Sequence, residues 1–208
     1  MTFISKMPEL PPLSEATVQD LVAKRCRDLK HDVTVPNCGV LGWESDVVSL
    51  TRTRLTHDFE IKVSRADWLA ECRKIRAGHE VDGPYANPKA ARAWYCRNAG
   101  GIAKQIRQHL RTTTKTGNCA HYTDFDGRIV AHAGPAYFWM VTPPGVIADG
   151  ELPEYAGHIV VWERGASRRL QEVRPAPRLH TVKMGDADVL TMARGVTLRY
   201  WQQRQGVA

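Results

Sequence analysis

The chain has 208 residues, 43% of them hydrophobic and 25% charged, with a formal net charge of +7. That apolar share excludes a disordered chain. No apolar run approaches the roughly 18 residues that span a bilayer, and five scattered cysteines do not make a secreted disulfide framework.

Residues 1–13 are rich in proline (Pro8, Pro11, Pro12) and read as irregular. Met1–Lys6 lacks the apolar stretch and cleavage site of a signal peptide, so the expected location is the cytoplasm. Ser14 stands where an N-cap belongs. Val18, Leu21, Val22 and Leu29 follow at helical spacing, predicting an amphipathic helix over 15–30 with Lys24, Arg25, Arg27 and Lys30 on its outer face. From Asp32 to Gly42 the pattern is mixed, with Pro36, Asn37 and Gly39 as turn signals.

Two strand-like runs, 43–52 and 56–63, are joined by a turn near Thr53-Arg54-Leu55. Strand periodicity puts Asp58, Glu60 and Lys62 on one side of the second run and Phe59, Ile61 and Val63 on the other. Glu44 and Asp46 share a side of the first by the same rule. Ser64 then caps a helix with Asp67 three residues on, resembling a capping box. Its apolar stripe is Trp68, Leu69, Cys72 and Ile75, and Arg65, Arg73, Lys74 and Arg76 make it basic.

Residues 88–112 read as helix in two pieces, interrupted at Gly100-Gly101, and 122–134 as a short hairpin turning at Asp126-Gly127. Ala136 to Thr142 is a buried strand. His158 to Glu163 is another, which Leu170 to Arg174 joins across a turn at Gly165. A last helix covers 186–203, with Val189, Leu190, Ala193, Val196, Leu198 and Trp201 as its apolar positions.

The chemistry concentrates in Glu44, Asp46 and Glu60-Ile61-Lys62. Carboxylates facing one another across two strands repel unless a cation lies among them or one is protonated. Mg²⁺ suits such a set, because it prefers oxygen ligands and is commonly held by one or two carboxylates together with a phosphate. A lysine beside it orients the attacking water or stabilises charge in the transition state. Glu-x-Lys alone is a weak motif, and a solvated charged strand face carries the same pattern.

The order of segments is more specific. Asp46 on one strand, Glu60-Ile61-Lys62 on the next and a helix beginning Ser64-Arg65-Ala66-Asp67 are followed by Ala136-Tyr137-Phe138-Trp139-Met140-Val141-Thr142-Pro143. Leu152-Pro153-Glu154-Tyr155-Ala156-Gly157 and Ala176-Pro177-Arg178-Leu179-His180 come after. This resembles the PD-(D/E)XK nuclease superfamily, and more narrowly MmcB-type DNA repair proteins and related phage nuclease-like proteins. The likeness covers 43–75 and 136–180, with Ser45 where the superfamily's name places proline.

The resemblance implies a single α/β domain over 1–208, restriction-endonuclease-like, with a mixed central sheet flanked by helices and an inserted helical or irregular segment at 77–134. It implies a Mg²⁺-dependent deoxyribonuclease, with Mn²⁺ able to substitute, endonucleolytic rather than exonucleolytic, serving DNA repair, recombination or phage DNA processing. Asp46, Glu60 and Lys62 would be catalytic. Glu44, Asp46, Glu60 and the Ile61 carbonyl would be metal ligands. Arg65, Arg73, Lys74 and Arg76, on the helix after the motif, are placed to hold DNA. The alternative is a non-catalytic nucleic-acid-binding or partner-binding module that keeps the fold.

Three other groups carry two readings each. His57 is a surface-turn histidine or a base near the site. Trp94 and Tyr95, interleaved with the basic residues of 89–115 (Lys89 and Arg92 first among them), are the apolar side of a helix or bases' stacking partners on a basic surface that neutralises phosphates. Cys96, Cys119 and His121 lack a standard zinc spacing, so core thiols are the expectation and a zinc-stabilised insertion the alternative.

Overall fold

The computed structural model describes residues 10–81, 87–113, 122–123, 129–130 and 133–206. Its elements are α1 (Glu15–Asp28), β1 (Val33–Cys38), β2 (Ser45–Leu50), β3 (Thr56–Ile61), α2 (Arg65–Val81), α3 (Pro88–Thr113), β4 (Tyr122–Thr123), β5 (Ile129–Val130), β6 (Tyr137–Thr142), β7 (Ala156–Arg164), β8 (Ser167–Arg174) and α4 (Asp186–Arg204). Six strands form one sheet in the order β1-β2-β3-β6-β7-β8. The central β3–β6 and β6–β7 pairs are parallel and the outer pairs antiparallel. This is the mixed α/β architecture, helices on both faces, that the resemblance implies.

Burial on both faces explains why β3 and β6 contain so few exposed positions. On one face α1 lays Val18, Val22 and Cys26 against Val47, Phe59, Ile61, Trp139, Val141 and Ile159. On the other, α3 sets Trp94, Tyr95, Ile102 and Ile106 against Val35, Val48 and Leu50, while Trp68 of α2 and Cys96 meet Phe138 and Met140. Trp94 and Tyr95 are therefore the apolar side of a helix. Part of the segment expected as an insertion, α3, builds this second helical layer.

Ser14 caps α1 by accepting from the Thr17 N–H at 3.2 Å. The chain leaves that helix through Lys30 at φ 61, which ends it earlier than periodicity suggests. β1 was hidden by Pro36 and Asn37. It is an edge strand, where proline's missing N–H is tolerated, and Asn37 takes φ 45. Arg199 of α4 donates to the Pro36 and Asn37 carbonyls and so covers part of that edge.

α3 runs unbroken through Gly100-Gly101. Two interior glycines cost roughly 1 kcal/mol each, but Ala99, Ile102, Ala103 and Ile106 are buried on either side and packing outweighs the local preference. The expected 122–134 hairpin is present as the antiparallel β4–β5 pair; its turn lies outside the described residues. In α4 only Met192 is buried, and Leu190, Val196, Leu198 and Trp201, expected on a core face, are exposed. Among the described residues no helix is long and apolar enough to cross a membrane.

Candidate functional site

Adjacent strands bring the motif together. Val47 of β2 faces Phe59 of β3, so Asp46 and Glu60 come next along the two strands. Both lie on the face covered by α2 and α3, as strand periodicity predicts. Asp46 is locked to the motif by its backbone: its Oδ2 accepts from the Ile61 N–H at 2.6 Å. Lys62 Nζ donates to Glu60 Oε1, also at 2.6 Å.

Helices supply three further residues. Lys89, in the first turn of α3, donates to the same Glu60 Oε1 at 2.6 Å. Arg92, one turn on, donates with one nitrogen to Glu60 Oε2 and with another to Glu71 Oε1 of α2. Its guanidinium also stands over the Phe138 ring, 5.0 Å from the centroid. Lys62 and Lys89 each come within 3.8 Å of Glu71 Oε2. Glu60 is wholly buried, as is Asp58 behind it, which accepts from Trp43 Nε1 at 3.0 Å.

Glu71 was not among the sequence candidates, and Lys89 and Arg92 entered only as part of the basic surface of 89–115, not of the carboxylate site. Two of them left a signal. Arg92 heads the buried stripe Cys96, Ala99, Ala103 and Ile106, and Glu71 lies between Trp68 and Ile75 on the apolar side of α2. A charge within an apolar stripe requires a buried partner.

Electrostatics divides the acids. Burial alone raises the Glu60 carboxyl, but Arg92, Lys62 and Lys89 outweigh it and hold Glu60 well below the usual carboxylate range. Asp46 goes the other way. Burial and the negative charge of Glu60 push it up to about 7, against the opposing pull of the Ile61 N–H. Burial lowers Lys62, yet Glu60 and Glu71 prevail and keep it charged.

A cleft of ≈ 530 Å³ opens onto this face, lined by Glu44, Asp46, Lys74, Asn87, Pro88 and Lys89. Asn87 ties its wall together: Nδ2 donates to the Lys74 carbonyl at 3.0 Å and Oδ1 accepts from the Ala90 N–H at 2.8 Å. Glu44 lies just before β2 and is exposed.

Of the basic residues expected to hold DNA, Lys74 lines the cleft, and Arg73 and Arg76 are exposed on α2. Arg65 is engaged with both oxygens of Glu151 and with the Val146 carbonyl.

His57 belongs to the opposite face of the sheet. It accepts from Trp139 Nε1 at 3.0 Å and stacks on Tyr137, and burial drives its pKa down to about 3. A neutral imidazole inside an aromatic cluster does not serve the carboxylate face. Cys96 is a buried core thiol; Cys119 and His121 lie outside the described residues.

The chain is similar to a solved structure, the SPO1766 protein of unknown function from Silicibacter pomeroyi. The two share 14% identity over 95% of this chain and 93% of that one, with a TM-score of 0.49. No family model and no curated protein matches the chain.

In chemical kind the donors fit a hard divalent cation: carboxylate oxygens of Asp46, Glu60 and Glu44 beside the Ile61 peptide. Asp46, raised by burial and by the charge of Glu60, gains from a cation between the two acids. In this arrangement Lys62, Lys89 and Arg92 supply that positive charge. Among the described residues no three His, Cys, Asp or Glu side chains close around one point.

Proposed function

We propose that this chain is a Mg²⁺-dependent deoxyribonuclease of PD-(D/E)XK type, working in the cytoplasm on DNA in repair, recombination or phage DNA processing. The observation that carries the reading is the convergence of Asp46, Glu60 and Lys62, from two adjacent strands, beside a cleft edged by Lys74 and Lys89. Asp46 and Glu60 would hold the ion, with Glu44 and the Ile61 carbonyl as further oxygen donors. When bound, Mg²⁺ supplies Lewis-acid polarisation of a phosphodiester oxygen and a water of lowered pKa.

The chain's own groups do the rest. Lys62 is held protonated by Glu60 and Glu71, so it acts as a donor toward developing negative charge and toward the attacking water, not as a base. Arg92, itself held by Glu71, fixes Glu60 from behind. Lys74, Arg73 and Arg76 add positive charge along α2, where a phosphate backbone gains electrostatic affinity.

The test is a panel of linear duplex, single-stranded, flap and junction DNA incubated with Mg²⁺ or Mn²⁺. Cleavage by the native chain and its loss in Asp46→Ala, Glu60→Ala and Lys62→Ala is the expected result. Cleavage retained by all three variants rejects the assignment.

One observation favours a second reading, a non-catalytic nucleic-acid-binding module. Both Glu60 oxygens are already held by the chain's own cations. Calorimetric titration with Mn²⁺ separates the two: the module binds DNA with no metal uptake that depends on Asp46.

A further inference from the structure

Three cations converge on one carboxylate, and they are not equivalent. Glu60 Oε2 has Arg92, and Glu60 Oε1 has Lys62, so each oxygen has a donor before Lys89 is considered. Glu71 Oε1 is likewise taken by Arg92. Lys89 is a second ammonium on an oxygen that Lys62 already holds, both at 2.6 Å. Two like charges sharing one acceptor repel, and the pair persists only because the carboxylates lie close by.

Accessibility singles out the same residue. The Lys89 side chain is 22% exposed, against 8% for Lys62 and 3% for Arg92. Lys89 lines the cleft, whereas Lys62 and Arg92 do not. The Asn87 bonds to Ala90 and Lys74 anchor the start of α3 on either side of it, and its ammonium is carried on a flexible four-carbon stem.

We propose that Lys89 is a displaceable phosphate ligand: without substrate it closes on Glu60, and when DNA enters the cleft it moves its ammonium to a phosphate oxygen and gives up its share of Glu60 Oε1, while Lys62 stays on that oxygen's other lone pair. The residue thereby couples substrate to metal, because the lone pair it vacates on Glu60 Oε1 is the one left open to a cation. This rests on the nuclease reading and adds to it a residue with two successive partners. Lys74, on the same cleft wall, offers the phosphate a second contact.

The experiment compares the full-length native chain with Lys89→Met and Lys89→Arg. Fluorescence anisotropy with a labelled DNA duplex in EDTA, over a range of salt, reads the phosphate contact. Mn²⁺ calorimetry without DNA reads the vacated lone pair of Glu60 Oε1. In Lys89→Met the slope of log affinity against log salt should fall by about 1. Mn²⁺ affinity should rise about fivefold or more, as typical coupling between linked sites requires. Lys89→Arg should keep the native salt slope.

Either change missing in Lys89→Met overturns the proposal, and leaves the nuclease reading standing if the native chain binds and cuts DNA. A native chain that binds no DNA overturns both. Should Lys89→Met not fold, the native protein carries the test through amine acetylation mapped by mass spectrometry. DNA must shield Lys89, and Mn²⁺ alone must increase its labelling. Labelling indifferent to both overturns the proposal.

Discussion

Arg92 of α3 reaches across the interior to Glu60 of β3, and both side chains are all but removed from solvent. The pair joins the second helical layer to the strand that carries the motif, so the position of the carboxylate depends on a residue 32 places along the chain. Burial opposes charge on both partners, and mutual attraction overcomes it: Arg92 is raised well above its ordinary value and Glu60 lowered.

Removing one partner of a buried pair leaves the other charge uncompensated, which costs about 3–5 kcal/mol. Arg92→Met should destabilise the chain by that order in urea unfolding followed by circular dichroism. Glu60→Gln should cost less, since the amide oxygen still accepts from Arg92 while Glu71 keeps its own contact. Equal stability of Arg92→Met and the native protein would mean that Arg92 does not hold the buried carboxylates in place.

Asp46 predicts the pH dependence. Its pKa is about 7 in the folded chain against an ordinary value of 3.8, so between those values the folded state holds a proton that the unfolded state has lost. Stability from this group is fully present below the ordinary value and lost as pH rises through about 7, with a slope of up to about 1.4 kcal/mol per pH unit. Asp46→Asn should flatten that slope in unfolding measured from pH 4 to 8 without metal.

The same proton competes with metal. Deprotonation must accompany binding at Asp46, so Mn²⁺ affinity should weaken about tenfold per pH unit below pH 7 and level off above it. Calorimetry in buffers of different ionisation enthalpy counts the protons released. Release of none at pH 6 would remove Asp46 from the ligand set.

Gly157 of β7 lies opposite Trp139 of β6. A Cβ there would stand 2.5 Å from the Trp139 ring and 2.6 Å from the Ala176 nitrogen. Backbone cannot yield cheaply, so Gly157→Ala should cost about 1–3 kcal/mol by overpacking. Thermal unfolding checks this, and Gly100→Ala is the contrast. Nothing lies within 4 Å of a Cβ there, and an alanine in a helix interior should stabilise.

Among the basic residues of α2, Lys74→Ala should reduce the salt slope of DNA binding by about 1, because it edges the cleft beside Asp46. Arg65→Ala should act first on the loop carrying Val146 and Glu151, to which Arg65 and Trp68 are tied. Salt-dependent anisotropy measured alongside unfolding distinguishes the two effects.

Much of this was legible in the sequence because it is local. Alternation fixed which side of β3 carries Asp58, Glu60 and Lys62, and capping marked Ser14 and Ser64, since those signals need only neighbours within a few residues. Pro36 and Asn37 misled because a turn signal and an edge strand look alike until the sheet's order is known. Gly100-Gly101 misled because propensity is a weak term beside the burial of Ala99, Ile102 and Ala103.

The motif's residues and their shared face were thus determined by the chain itself. Tertiary structure alone decided what surrounds Glu60. Arg92 and Lys89 come from a helix that sequence spacing gives no reason to lay over β3, and Glu71 from another. An ion pair between elements far apart in the chain has no period to reveal it. It forms because charges carried into the interior must find one another there.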